Sequence, residues 1–396
     1  VYLKHLTKLK KWQMMKIKEL SYALFAFNYK FGSILPIKKN FVFSIMTHDE
    51  SPSGNIRTLT KYLSKVGKYR FYYVSKEERR AYFHLLFVLP FVMSRAEIIL
   101  MDNAFMPMSF FKVRKETKVL QLWHGTGSIK KFGQDSNTGR LRELERRHNA
   151  NIDCLFVNSS GLVREYAGAF GVPESKVYAT GLPRTDWLLT LLSDKNRAKK
   201  IRDIREKIEK FMAGSLKDKK IILYAPTFRD NETDNPKLHM NVSKLAETLP
   251  CDYLIFLKLH PFVSRAFKGS DLPARVINIS DYQNLNELMI VSCGLITDYS
   301  SIIFDYVVLD KPMYFFADDI LDFETKGRGF YLDYRNELPG ILPSDETELG
   351  RIIVNDIEGS ESNETRLSRR LFLDKYYDWL DGKSAMRVYE EAIKKK

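Results

Sequence analysis

Cysteine is scarce in this chain. Only Cys154, Cys251 and Cys293 occur among 396 residues, and they are widely separated. That spacing argues against a disulfide framework and against a cysteine-based metal site. Each cysteine lies in an apolar, strand-like run, so three buried thiols are expected, weakly favouring a reducing compartment. Long apolar runs are missing too. None reaches the ~18 residues of a membrane-spanning helix, and the longest candidate, His84 to Met93, contains Pro90. The basic start lacks the compact apolar core and cleavage site of a secretory signal. Internal repeats and low-complexity tracts are absent.

Acid is short relative to base: 49 Asp and Glu face 63 Lys and Arg, a net charge of +14. Such a surplus suits an anionic partner, whether nucleic acid, an anionic membrane surface or a phosphorylated substrate. No zinc-ligand pattern, RNA-binding aromatic motif or long basic tail is present, which disfavours nucleic acid. A hydrophobic content of 44% with 13% aromatics is that of a globular protein. The length suggests two domains.

Residues 1–36 stand apart. Lys4, Lys8, Lys10, Lys11, Lys16 and Lys18 interleave with Leu3, Leu6, Leu9, Trp12, Met14, Met15, Ile17 and Leu20. This spacing predicts a basic amphipathic helix that lies on anionic lipid. The competing reading is a helix packed on its own domain with a solvated lysine face. From Asn40 onward, short β-rich runs alternate with helical patterns. Residues 37–195 read as one α/β lobe. The charged stretch Ser193 to Lys220 reads as a helical connector, and residues 196–396 as a second α/β lobe. Alternation of this kind predicts mostly parallel sheets covered on both faces. Ligands then bind beyond the carboxyl ends of the strands.

Four groups fall at such ends. Gly294–Thr297 reads as a strand and Ser300–Leu309 as a helix, with Asp298, Ser300 and Ser301 at the turn between them. A helix start presents unpaired N–H groups and a positive dipole end, and serine hydroxyls add donors, which makes a phosphate seat. The alternative is that one serine simply caps the helix. In Trp123-His-Gly-Thr-Gly127, glycines permit close approach and His124 is a candidate general base, or a structural histidine at a turn. In Tyr224-Ala-Pro-Thr-Phe-Arg229, Thr227 and Arg229 are candidate phosphate ligands, the alternative being an Arg229 pair with a surface carboxylate such as Asp230. Lys258 and His260, two apart on one strand, share a face and are candidates to neutralise a diphosphate. The loop Glu324–Phe330 adds Lys326 and Arg328 as an anion clamp or lid. Asp318, Asp319 and Asp322 are better read as surface acidity than as a metal site.

Taken in order, these motifs resemble one family. Trp123-His-Gly-Thr126, Tyr224-Ala-Pro-Thr-Phe-Arg229, His260-Pro261, Thr297-Asp-Tyr-Ser-Ser301 with Phe304-Asp-Tyr306, Lys311-Pro312 and Phe315 through Phe330 are similar to the CDP-glycerol glycerophosphotransferases of teichoic acid synthesis. The resemblance spans roughly residues 95–380, and ordered agreement is more specific than any one motif. It implies a glycosyltransferase-B-like fold of two Rossmann-like lobes. It implies a CDP-glycerol donor bound by the C-terminal lobe, a lipid acceptor linked to undecaprenyl diphosphate on the N-terminal side, and peripheral attachment to the cytoplasmic face of the cell membrane. By the same resemblance His124 is the catalytic base, His260 a second essential histidine on the donor diphosphate, and Ser300 and Ser301 phosphate ligands. The resemblance adds Arg229, Lys258 and Asp305 as donor contacts; Thr227 stands beside them as a donor-phosphate candidate from its place at the strand end, and Asp298, Lys326, Arg328, Gly125 and Thr126 are further candidates for donor or acceptor contacts. No cofactor or metal is demanded, although magnesium is compatible. The run Gly127-Ser-Ile-Lys-Lys-Phe-Gly133-Gln-Asp135 looks more like the primases, which add one glycerol phosphate, than the polymerases. A short polymerase or a capsule enzyme using CDP-ribitol, a nucleotide-sugar glycosyltransferase on the same fold, and a non-catalytic basic membrane-binding protein are the alternatives.

Overall fold

The structure, a computed structural model, describes residues 2–75, 81–227, 229, 237–267, 272–321, 329–359 and 361–394, apart from the side chains of 2–15, 261, 262 and 266. It divides into two compact units. The first comprises Val1–His124, Phe132–Pro183 and Lys383–Lys396; the second comprises Gly125–Lys131 and Arg184–Gly382.

The first unit is built on six parallel strands: β1 (Lys38–Ile45), β2 (Arg70–Val74), β3 (Ala96–Met101), β4 (Lys118–Gln121), β5 (Cys154–Val157) and β6 (Val177–Ala179). Their order is β2-β1-β3-β4-β5-β6. The chain reverses its direction of travel across the sheet between β1 and β3, and a crevice opens at such a switch point. Strands β3 to β5 are largely or wholly buried, as runs such as Ile98-Ile-Leu-Met101 require of a sheet covered on both faces. Helix α1 (Tyr2–Gly32) is continuous. Its second half is a core element: Tyr29 stacks on Phe111 at 4.1 Å between ring centroids and Phe25 meets Phe105 at 5.4 Å. Burying each such ring contributes roughly 1.5–3 kcal/mol. Helix α2 (Asn55–Val66) covers the sheet through Ile56, Leu59 and Leu63.

The second unit holds β7 (Lys220–Tyr224), β8 (Tyr253–Leu257), β9 (Val276–Asn278), β10 (Gly294–Thr297) and β11 (Met313–Phe315), all parallel, in the order β11-β10-β7-β8-β9. Counted from its own first strand this is the dinucleotide-fold order, with the switch point between β7 and β10. Ile222, Ile255, Leu257, Ile296 and Tyr314 form the core with Leu349 and Ile353 of helix α12 (Glu346–Glu358). Helix α12 is capped by the Asp345 carboxylate, which accepts the N–H groups of Thr347 and Glu348.

Two expectations need correction. The sequence pattern assigns residues 196–396 wholly to the second lobe, but helix α14 (Ser384–Tyr389) belongs to the first unit, with Ala385, Val388, Ala392 and Ile393 in its core. Of the cysteines only Cys154 is buried; Cys251 is exposed because it lies in the turn that precedes β8, not in the strand.

Candidate functional site

In the first unit the loops after β1, β3 and β4 carry the polar groups. Asp102, at the end of β3, is buried. Its carboxylate accepts the N–H groups of Thr47, His48 and Asp49 and the Thr47 hydroxyl, which shapes the loop after β1. The Asp102 backbone carbonyl lies 3.0 Å from Nδ1 of His124. A carbonyl only accepts, so the proton sits on Nδ1, and in the neutral ring Nε2 is the basic nitrogen. The His48 ring meets the His124 ring edge to face at 3.9 Å, and the Trp123 ring lies tilted 4.0 Å from it.

Trp123 has φ of 55°, a left-handed conformation that costs a bulky residue. The surroundings hold it there. Its N–H donates to Gln121, its carbonyl accepts from Asn55, and its indole stacks on Phe132 at 5.0 Å. This strained turn aims the following histidine.

Residues Gly125–Lys131, directly after His124, belong to the second unit. The Thr126 hydroxyl donates to the buried Asp305 carboxylate, whose other oxygen pairs with Arg184 at 3.0 Å. A Cβ on Gly127 would fall 2.4 Å from the Phe304 ring, so only glycine fits. Gly125 lies beside Ser301: a Cβ built there would stand 3.6 Å from the Ser301 hydroxyl oxygen.

At the switch point of the second unit, Asp298 ties the loops after β7 and β10 together. One oxygen accepts the N–H groups of Thr227 and Tyr299; the other pairs with Arg229 at 2.7 Å. Arg229 is itself buried, pairs through its other edge with Asp319 at 2.8 Å and lies 4.8 Å from the Tyr299 ring centre. Burial alone would raise the Asp319 carboxyl, but the Arg229 hydrogen bonds and charge outweigh it and hold it below the usual range. The expected surface pair for Arg229 is thus replaced by a buried cluster, and Asp230 lies outside the described residues. Both sides of the guanidinium are taken, so Arg229 braces the loops. Lys258 is similarly committed: its ammonium donates to the carbonyls of Ser280 and Tyr282 at 2.7 Å each, and burial pulls it down to about 8.

The serines behave differently. Helix α11 (Ile302–Tyr306) is shorter than expected and continues as a 3₁₀ turn, Val307–Leu309, which Asp310 ends with a left-handed φ of 50°. Ser301 stands at the helix start but makes no capping hydrogen bond, and its side chain is exposed; the Ser300 hydroxyl is 3.4 Å from the Ile302 N–H. The Thr227 hydroxyl oxygen is buried without a partner among the described residues. His260 is exposed at the end of β8, and its carbonyl starts the next helical turn by accepting the Ser264 N–H. Lys326, Arg328 and Asp322 lie outside the described residues. His239, Asp318 and Asp319 offer ligand atoms within 4.8 Å of one another, though a cation there would share Asp319 with Arg229 and Tyr299.

Motif reading missed His48, Asp102 and Arg184. Each follows a strand or opens a helix without a glycine or serine signature; only position at a strand end would have flagged His48 and Asp102.

By fold this is a parallel α/β protein similar to the wall teichoic acid polymerase TagF. The two superpose with a TM-score of 0.74 at 22% identity, covering 98% of each chain. The sequence profile described as CDP-glycerol:poly(glycerophosphate) glycerophosphotransferase matches residues 27–394. The chain belongs to that family of enzymes. It is 31% identical over 389 residues to a teichoic acid poly(ribitol-phosphate) polymerase of Bacillus spizizenii, covering 95% of this chain and 60% of the polymerase. It is 30% identical over 372 residues to a teichoic acid ribitol-phosphate primase of the same organism, covering 90% of this chain and 92% of the primase.

Proposed function

We propose that the protein transfers glycerol phosphate from CDP-glycerol to a lipid-linked disaccharide on undecaprenyl diphosphate, as a teichoic acid primase, and releases CMP. The observation that carries this reading is the Asp102 carbonyl on Nδ1 of His124, which leaves Nε2 as the base in a family of phosphotransferases. In this reading the second unit binds the donor. Its diphosphate takes the Ser300 and Ser301 hydroxyls, His260 and the buried Thr227 hydroxyl. Arg229, Asp298 and Lys258 hold those loops in place. The acceptor hydroxyl gives its proton to Nε2 of His124, attacks the phosphorus that carries glycerol, and the bond to the CMP oxygen breaks. Orientation and charge neutralisation supply most of the rate in such displacements, and magnesium on the diphosphate is compatible with them.

The same reading places the protein at the cytoplasmic face of the membrane. In its support, Leu20, Phe27 and Phe31 are exposed on α1 beside the lysines Lys16 and Lys30. No described helix is long and apolar enough to cross a membrane. Loss of vesicle sedimentation on truncation before Lys38 is expected.

The deciding experiment is incubation with CDP-glycerol, CDP-ribitol and a synthetic lipid-linked disaccharide, followed by mass analysis. One added glycerol phosphate with CMP release is expected. Release of CDP would mean glycosyl transfer and overturn the proposal; a ladder would mean a polymerase. Preference for CDP-ribitol is the second reading, favoured by the ribitol phosphate named in both relatives.

A further inference from the structure

A cavity outside the proposed reaction site lies at the amino ends of β4 and β5. Its volume is about 740 Å³. Six cations line it: Lys30 from α1, Lys112, Arg114 and Lys115 from the loop before β4, and Arg146 and Arg147 from helix α4 (Gly139–Asn149). The lone lining carboxylate, Asp153, is engaged by the Val119 N–H at 2.8 Å.

Some of this charge has a local explanation. Arg146 and Arg147 both pair with Glu143, and they sit where a helix end favours cations. Lys30 ends α1 in the same way. The loop is not explained so. Lys112 and Lys115 are exposed and, among the described residues, have no ion-pair partner, while Glu116 reaches Arg114 only at 3.7 Å. The loop is also held in shape. Asn151 accepts the Val113 N–H and donates to the Met108 and Phe111 carbonyls. The Arg114 guanidinium donates to the Leu35 carbonyl at 2.7 Å. A fixed loop whose Lys112 and Lys115 line the same cavity as Phe110 and Phe111 suits an anion with an apolar attachment. At about 3.3 Å per extended residue, the seven steps from Thr117 to His124 allow at most about 23 Å between this end of β4 and His124.

We propose that this cavity is a binding site for a phosphate-bearing anion, supplied by a lipid headgroup or by a free phosphorylated molecule. The lipid source rests on the membrane reading above; the site itself does not.

The test uses the full chain, with Lys112→Glu/Lys115→Glu compared with a control of equal charge change, Lys65→Glu/Lys68→Glu, at exposed positions outside the cavity. Sedimentation is measured with phosphatidylcholine vesicles with and without phosphatidylglycerol, and inorganic pyrophosphate is titrated calorimetrically. Thermal melts establish that both variants fold. The cavity variant is expected to lose about tenfold or more in binding to the anionic vesicles, and the control about twofold at most. Pyrophosphate binding lost only in the cavity variant identifies free phosphate as a ligand; a vesicle effect without it identifies the headgroup. Equal losses in both variants, with no variant-sensitive pyrophosphate binding, overturn the site and leave membrane attachment standing. Wild type that ignores the vesicles removes the membrane reading, and the site then stands or falls on pyrophosphate alone.

Discussion

The backbone carbonyl of Asp102 accepts a hydrogen bond from Nδ1 of His124 at 3.0 Å, and this fixes which imidazole nitrogen is basic. On the proposed reading, that nitrogen is the general base. Replacing His124 with Ala should lower turnover by about 10²–10⁴, the usual contribution of a general base. Donor affinity should change little, because the proposed donor ligands all belong to the other unit. Single-turnover kinetics and CDP titration together check this; a variant that keeps its rate reassigns the base.

Thr227 offers a second test. Among the described residues its buried hydroxyl has no partner, and such a group costs about 1–3 kcal/mol. Valine has nearly the same shape and no hydroxyl. Thr227→Val should therefore raise the melting temperature of the unliganded protein while weakening CDP-glycerol binding about tenfold, since a hydrogen bond to a charged group contributes roughly 1.5–3 kcal/mol. Higher stability with unchanged affinity would mean that the hydroxyl never meets the donor.

The strands were readable because buried parallel strands write themselves as apolar runs: Gly294–Thr297 is a strand with the bounds expected of it. Candidate residues at strand ends were readable for the same reason. Their partners were not. Arg229 reads as a phosphate fork until Asp298 and Asp319, 69 and 90 residues further along the chain, are seen closing on it. Lys258 reads as a free cation until two carbonyls more than twenty residues away claim it. Local pattern reports which groups reach a crevice. It does not report which are already paired, since that depends on long-range loop packing. Lys311 of the Lys-Pro motif is a further case: its ammonium donates to the carbonyls of Ile290 and Ser292, at the end of helix α10 (Leu285–Val291), and burial brings it to about 8.

The Arg229 cluster predicts a stability effect that a surface phosphate ligand would not show. Removing one member of a buried ion pair strands the other, at about 3–5 kcal/mol. Arg229→Met should destabilise the second unit by that order. Arg229→Lys should also destabilise it, because an ammonium cannot bridge both carboxylates with a planar fork. Calorimetric unfolding of the two variants is the check. Wild-type melting accompanied by lost donor affinity would instead make Arg229 a direct ligand.

His148 links the first unit to pH. The ring is fully buried; Nε2 accepts the Phe105 N–H at 3.1 Å and Nδ1 donates to the Asn149 side-chain oxygen at 2.8 Å. Burial pulls the imidazole down to about 4 from its ordinary value near 6.5. Above pH 6.5 the ring is neutral both folded and unfolded and adds no pH dependence. As pH falls from 6.5 toward 4, the unfolded chain takes up a proton that the folded one refuses. Stability is therefore present above the unfolded value and is lost through this window, by about 3 kcal/mol in all. Glutamine at 148 still offers an oxygen to the Phe105 N–H but does not titrate. His148→Gln should melt with a visibly shallower decline between pH 6.5 and 4.5 than wild type, and parallel curves for the two proteins would show that this ring does not govern the acid sensitivity of the first unit.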